Sequence, residues 1–246
     1  MAFPINILRS GVVVCTYSGA TRVGYIAGGK NDMPDAQLEK SQVTDIYRKI
    51  APSYDVWACL TETKARNRCL ELAAIQNGEN VLEVAVGTGL AFEEILRVNP
   101  SGRNEGVDLT KAMLLRAERK AARSGSSNYR LRIGDAYDLD FPDASIDVLI
   151  NNYMFDLLPQ QDFLMVLKEF KRVLRPGGRL AMVNMTKGEH WYNGIWERIY
   201  RINPALLGGC RGVSLLPRIE ECGFRQTRRE YMSQLTFPSE IVYAVR

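Results

Sequence analysis

The stretch Val81-Leu82-Glu83-Val84-Ala85-Val86-Gly87-Thr88-Gly89 carries the strongest chemical signal in the chain. Apolar residues around a single acid read as a buried strand, and the closing glycines read as a turn into a helix. Such a turn lets backbone approach a ligand, and the helix behind it offers unpaired N–H groups. Glu83 is the unusual member, because a carboxylate in a buried strand is costly unless it meets a partner. The ammonium group of an amino-acid ligand is one candidate, directly or through water. Asp108 ends the next expected strand, somewhat beyond the roughly 20 residues at which an acid accepts both hydroxyls of a ribose. Gly134-Asp135-Ala136 follows the third strand. There a carboxylate accepts from an adenine amino group while small neighbours leave room for the ring.

Each feature also has a plainer role. Gly87 and Gly89 suffice for a tight turn, and Asp108 and Asp135 suffice as helix N-caps or turn acids. Their order at the carboxyl ends of successive parallel strands is what coincides with the place where open α/β sheets hold ligands.

The elements that must position these residues follow from periodicity. Gln37 to Ile50 and Thr61 to Ala74 read as helices separated by a turn around Pro52. After the strand Val81 to Val86 come a helix Ala91 to Val98, a strand into Val107, a helix Lys111 to Arg123 and the strand Tyr129 to Ile133. A buried strand Ile146 to Ile150, a helix Gln160 to Leu174, a Pro176-Gly177-Gly178 turn and a strand Arg179 to Asn184 continue the alternation. This βαβ rhythm predicts a doubly wound α/β fold, its sheet mainly parallel with helices on both faces. Phe224 to Met232 and Glu240 to Val245 are joined without a helix, which predicts an antiparallel hairpin at the sheet edge.

Composition narrows the classes. The 246 residues are 46% hydrophobic and 24% charged, ordinary for a soluble globular chain with one principal domain. Every apolar run is interrupted by charge or glycine before the roughly 18 residues a spanning helix needs. The net charge of +4 is spread along the chain, so no nucleic-acid partner is expected. Five cysteines without a CxxC pair suggest no disulfide framework and a cytoplasmic setting. With His190 the one histidine, no usual zinc ligand set can be assembled, and no metal is expected. Residues 1–34 read as an extension. No acid precedes Asp32, and a targeting leader and translated sequence upstream of a start at Met33 both fit, with Gly28-Gly29 as the joint. Residues 35–246 read as one continuous domain.

From Ile46 onward the chain resembles the class I S-adenosylmethionine (SAM)-dependent methyltransferases, particularly those of ubiquinone and menaquinone biosynthesis and related lipid or small-molecule enzymes. The resemblance rests on Tyr47 with Ala51-Pro52-Ser53-Tyr54-Asp55, on VLEVAVGTG at 81–89, GVDLTKAML at 106–114 and GDAYDLDFPDASIDVLI at 134–150, on VLRPGGRLAMV at 173–183, and on the tail ending PSEIVYAVR. It implies a seven-stranded sheet with a C-terminal hairpin and SAM as cofactor. It places Glu83, Ala85, Gly87 and Gly89 at the methionine portion, Asp108 at the ribose, and Leu109 and Met113 on the adenine face. Asp135 and Ala136 fall at the adenine edge, Asn151 or Asn152 beside the cofactor, and Tyr54 over it. Ala85 and Val86 depart from the family's usual glycine and small residue, and a methyl group at Ala85 crowds the cofactor carboxylate.

Methyl transfer from a sulfonium is an in-line displacement, so the protein mainly aligns donor and acceptor and excludes water. An oxygen or nitrogen acceptor needs a base within hydrogen-bond reach. Asp156, His190 and Tyr153 are the candidates, with Glu189 beside them. An acid at Asp156 also reads as a helix cap, and His190 as a surface residue. Residues 187–212, with Trp191, Ile195 and Ile199 on one helical face, read either as a packed lid or as an aromatic cover for an apolar acceptor with peripheral membrane contact. The expected function is SAM-dependent methylation of a small or lipid-like acceptor, such as a quinone precursor, phospholipid headgroup or secondary metabolite. Two rivals stand beside it. One is a non-catalytic SAM-binding relative acting as partner or regulator. The other is a nicotinamide-dependent oxidoreductase, disfavoured because Phe92 occupies the third glycine position of G-x-G-x-x-G.

Overall fold

The computed structural model describes residues 35–51 and 53–246, together with the backbone of three N-terminal strands, β1 (Asn6–Ile7), β2 (Val12–Tyr17) and β3 (Ala20–Tyr25). The chain divides into two units, Met1–Met33 and Pro34–Arg246. In the first, β2 pairs antiparallel with both β1 and β3. The other residues of the expected leader, Gly28-Gly29 and Met33 among them, lie outside those described, as does Pro52.

The second unit runs α1 (Lys40–Ile50), α2 (Tyr54–Thr61), α3 (Thr63–Ala73), β4 (Asn80–Val84), α4 (Leu90–Val98), β5 (Arg103–Asp108), α5 (Lys111–Arg123) and β6 (Tyr129–Ile133). It continues with β7 (Ile146–Asn152), α6 (Phe163–Val173), β8 (Leu174–Met185), α7 (Gly194–Ile202), α8 (Leu216–Glu221), β9 (Arg225–Gln234) and β10 (Phe237–Val245). The seven strands lie in the order β6-β5-β4-β7-β8-β10-β9. Strands β4 to β8 are parallel, and β10 enters antiparallel between β8 and β9. The chain winds outward from β4 through β5 and β6, then restarts on the other side with β7. The crevice between β4 and β7 is therefore the topological switch point, where such sheets bind ligands.

The strands alternate between two apolar layers, as a sheet covered on both faces must. Leu82, Val84, Leu149, Leu180 and Met182 pack with Phe163 and Phe170 of α6. Val81, Val148, Ile150, Ala181 and Val183 pack with Ala65 and Cys69 of α3 and Phe92 and Ile95 of α4. Phe155, in the short helical turn after β7, meets Phe163 and Phe170 edge-on at centroid distances of 5.3 and 5.8 Å.

Three local readings are revised. The helix expected from Gln160 begins at Phe163, behind a separate turn Gln160–Asp162. The expected Pro176-Gly177-Gly178 turn is absorbed into the start of β8, where Gly177 has φ +78° and the pairing with β7 slips between Ile146 and Val148. Periodicity also passed over α2 and α8, of eight and six residues, too short to display a repeat.

Candidate functional site

One cavity of about 450 Å³ opens at the β4–β7 crevice, within the roughly 300–1,000 Å³ typical of ligand pockets. Its floor is the strand ends and their turns: Val84, Ala85 and Gly87 after β4, Asp108 to Thr110 after β5, and Gly134 to Tyr137 after β6. Asn152, Tyr153 and Met154 close it on the β7 side, and Leu38, Val43 and Tyr47 of the N-terminal segment form an apolar wall with Leu157 and Leu158.

The glycine turn and Asp108, the acid expected at the ribose, hold each other. Gly87 N–H donates to Asp108 Oδ2 at 2.8 Å, and Thr110 N–H to Oδ1 at 2.7 Å. Burial pushes the Asp108 carboxyl up, opposed by these backbone donors. The Thr110 side chain and the Leu109 backbone also face this carboxylate, whose two oxygens offer about four acceptor positions in all. A Cβ at Gly87 would meet nothing within 4 Å, so its smallness leaves open space, and its φ of +57° favours glycine independently. Gly89 differs, because a Cβ there would stand 2.8 Å from the Ala117 backbone of α5. Gly89 is outside the cavity lining, and its role in the fold is close packing of the turn on α5.

Glu83, expected at the methionine portion, is buried behind the wall rather than in it. Its Oε1 accepts from Asn152 Nδ2 at 3.2 Å and its Oε2 has no partner among the described residues. Burial raises its pKa to about 8, with the Asn152 hydrogen bond working against the rise. Of the two asparagines, Asn152 lines the cavity, whereas Asn151 is buried with its Nδ2 donating to Val84 O at 2.9 Å. The strand's two-residue period sends their side chains to opposite faces.

Tyr54, Ala85, Leu109, Met113, Asp135 and Ala136 all line the cavity. Ala85 has φ +61° and Tyr153 φ +50°, a left-handed backbone that costs non-glycine residues energy and clusters at ligand sites. Asp135 forms an ion pair with Lys40 of α1, whose ammonium lies 4.8 Å from the Tyr137 ring centre. Sequence reasoning missed Lys40, since nothing in its surroundings marks a lysine 95 residues away as the partner of that acid.

The base candidates separate. Tyr153 lines the cavity, with its hydroxyl 2.9 Å from Ser239 Oγ. Asp156 does not reach it: fully buried, it accepts from Met185 N–H at 3.0 Å, and burial raises its pKa to about 7. His190 is exposed and stacked on Tyr192 at 5.1 Å, away from the cavity, and Glu189 is an exposed partner of Arg229. Arg211 is enclosed completely, donating to the carbonyls of Asp156 at 3.0 Å and Leu158 at 2.6 Å and to Asp35 Oδ1 at 3.1 Å. It clamps the segment before α1 to the turn after β7.

These residues fit an adenosyl amino acid: the acceptor oxygens of Asp108, an apolar bracket of Leu109 and Met113, a backbone cradle at Gly87, and an amide at Asn152 backed by a carboxyl oxygen without a partner among the described residues. The fold and this site define a class I SAM-dependent methyltransferase domain. Residues 81–178 match the family described as "Methyltransferase domain".

Two curated relatives are similar. A demethylmenaquinone methyltransferase of Listeria monocytogenes is 33% identical over 159 residues, 61% of this chain and 65% of the relative. An arsenite methyltransferase of Halobacterium salinarum is 32% identical over 158 residues, 62% of this chain and 39% of the relative. The chain therefore spans about two thirds or less of these relatives' own lengths. A solved SAM-dependent methyltransferase from Aquifex aeolicus shares the fold, with a TM-score of 0.54 at 18% identity over 85% of this chain and 99% of that one.

Proposed function

We propose that this chain methylates an apolar, hydroxylated ring compound of the demethylated-quinol type, with SAM as donor. One observation carries the reading: a single cavity joins the acid-and-glycine strand ends to an apolar wall of Leu38, Val43, Leu157 and Leu158. SAM, when bound, supplies an electrophilic methyl group. Asp108 would hold its ribose, Leu109 and Met113 the adenine faces, Asp135 and Ala136 the adenine edge, and Gly87 and Asn152 the methionine portion. The apolar wall orients the acceptor and keeps water out, which is most of what the reaction asks of a protein. The similarity to demethylmenaquinone methyltransferases supports a quinol-like acceptor. The arsenite alternative is less favoured, since no cysteine is among the described residues lining the cavity.

A bilayer is the proposed source of so apolar an acceptor. Trp191, Ile195, Ile202 and Leu206 are 93%, 53%, 80% and 66% exposed along the α7 region, with Arg198 and Arg201 exposed beside them. This is the composition of a helix lying on an anionic lipid surface. Among the described residues no helix is long and apolar enough to cross a membrane; the proposed contact is the peripheral one that the exposed side chains of the α7 region would make. Trp196 and Tyr200 point the other way and pack, Trp196 on Phe237 at 5.3 Å.

The test is transfer of labelled methyl from SAM to a panel of demethylated quinols and polar metabolites, with and without anionic vesicles. Transfer to the quinols, enhanced by vesicles, is expected. Saturable binding of SAM and its demethylated product without transfer to any acceptor would favour the non-catalytic reading, which the methyl group and strained backbone of Ala85 motivate.

A further inference from the structure

We propose that Tyr54 and Glu62 form a buried proton relay in the cavity wall, Tyr54 taking the proton of the acceptor's hydroxyl as it passes its own to Glu62. The relay rests on the reading that the acceptor carries a phenol-like hydroxyl.

Tyr54 opens α2, and Glu62 is the single residue joining α2 to α3. The eight-residue helix between them returns the carboxyl to the tyrosine. Tyr54 Oη donates to Glu62 Oε2 at 3.1 Å, with Oε1 at 3.4 Å. Tyr54 lines the cavity; Glu62 lies behind it, 5% exposed. No cation forms a salt bridge with Glu62 among the described residues, and Arg66, one turn along α3, donates to Thr63 Oγ1 instead. A buried carboxylate held chiefly by a phenol is an expensive arrangement to keep for structure alone.

The surroundings favour this pair over the cavity's other tyrosines. The Tyr47 hydroxyl meets Cys210 Sγ at 3.5 Å and the Tyr153 hydroxyl meets Ser239 at 2.9 Å, neither partner being a carboxylate. Tyr137 does donate to Asp162 at 2.7 Å, but that contact lies beside Asp135 and Lys40, at the proposed adenine end. The groups facing Tyr54 and Glu62 are Tyr47 of α1, its ring 5.9 Å from that of Tyr54, Trp57 of α2, Arg66 of α3, Tyr153 and Asp156 after β7, and Cys210. Burial raises Glu62 to about 7, with the Tyr54 hydrogen bond opposing the rise. A base poised near neutrality is well matched to moving a phenolic proton.

The step balances without an outside reagent. The acceptor O–H bond breaks and its proton forms a new O–H bond on Tyr54; the old Tyr54 O–H bond breaks and that proton ends on Glu62. The negative charge moves from the carboxylate to the acceptor oxygen, making the ring nucleophilic. Tyr54 is then a catalytic residue and Glu62 a positioning residue that acts through it.

The test uses the full chain with 1-naphthol as probe, its ionisation read by absorbance across a pH series in the presence of demethylated cofactor. In wild type the bound naphtholate fraction on the alkaline side of neutrality is expected to exceed that of free naphthol by about tenfold, one pKa unit. Glu62→Gln and Tyr54→Phe are expected to bind the probe and leave it neutral, with Glu62→Asp restoring part of the ionisation. Equal ionisation in Glu62→Gln and wild type would overturn the relay. Should Glu62→Gln fail to fold, infrared titration of wild type decides: a buried carboxyl C=O band lost near neutrality and displaced by naphthol supports the relay, and its absence overturns it. Failure of naphthol to bind wild type would remove the acceptor reading and the relay together, whereas binding without ionisation would remove the relay alone.

Discussion

Gly87 N–H donates to Asp108 Oδ2 at 2.8 Å, so the turn after β4 and the acid ending β5 are one hydrogen-bonded unit. Replacing Asp108 by alanine strands the amides of Gly87 and Thr110. The expected cost is about 1–3 kcal/mol of stability per unsatisfied group that water cannot reach, together with loss of binding of the demethylated cofactor. Asp108→Asn keeps one acceptor oxygen and is expected to retain more of the fold than of the binding. Calorimetry and thermal unfolding on the two variants check this; cofactor affinity unchanged in Asp108→Ala would remove Asp108 from the site.

The two motif glycines are expected to fail differently. Gly89→Ala forces a Cβ against the Ala117 backbone at φ +85°, which combines overpacking with backbone strain. Several kcal/mol should be lost, each effect alone being worth about 1–3 kcal/mol. Gly87→Ala meets open space and suffers the backbone strain alone, so most of its effect should fall on cofactor affinity. Denaturant unfolding beside calorimetry separates the two; similar stability losses would contradict the assignment.

Ala85→Gly is expected to be a gain. Removing a methyl from a residue at φ +61° relieves left-handed strain of about 1 kcal/mol, partly offset by the freer unfolded chain. The same deletion clears the cavity wall. Higher melting temperature and tighter binding of the demethylated cofactor are the readouts, and weaker binding would show that the methyl group makes a useful contact.

Stability should fall as pH rises across neutrality. Burial raises Glu62 and Asp156 to about 7 and Glu83 to about 8, so each binds its proton more tightly folded than unfolded. Their contribution is fully present below the unfolded value of about 4 and is lost as pH climbs through 7 and 8. Glu83→Gln and Glu62→Gln should each flatten the slope. Denaturant midpoints from mildly acidic to mildly alkaline buffer check it, and a flat wild-type profile would mean that these carboxyls are solvated.

Strand ends were the most legible part of the site. Runs such as Val81 to Val84 and Ile146 to Ile150, apolar on both faces, must be central strands, and their order alone set the positions of Gly87, Asp108 and Asp135. Asn151 and Asn152 show where that reading stops. Strand parity decides which side chain reaches a ligand, and parity depends on where the strand's last paired residue falls. Gly89 shows a second limit: a packing glycine and a binding glycine look alike until the opposing Ala117 is known. Lys40 was illegible because its partner Asp135 lies on a distant segment, and Glu62 because α2, the short helix that returns it to Tyr54, shows no periodicity. His190 and Asp156 were marked by residue type, but an exposed ring and a carboxyl spent on the Met185 amide do not serve the cavity.

Arg211 ties Asp35 to the carbonyls after β7 across 176 positions of sequence. A link of that span closes late, since long-range contacts carry the entropy of the loop they shut. During synthesis, Leu38, Val43 and Tyr47 therefore wait for their fastening until Arg211 has been made, after strands β4 to β8. Through that interval the greasy wall of the ligand chamber lacks its clamp.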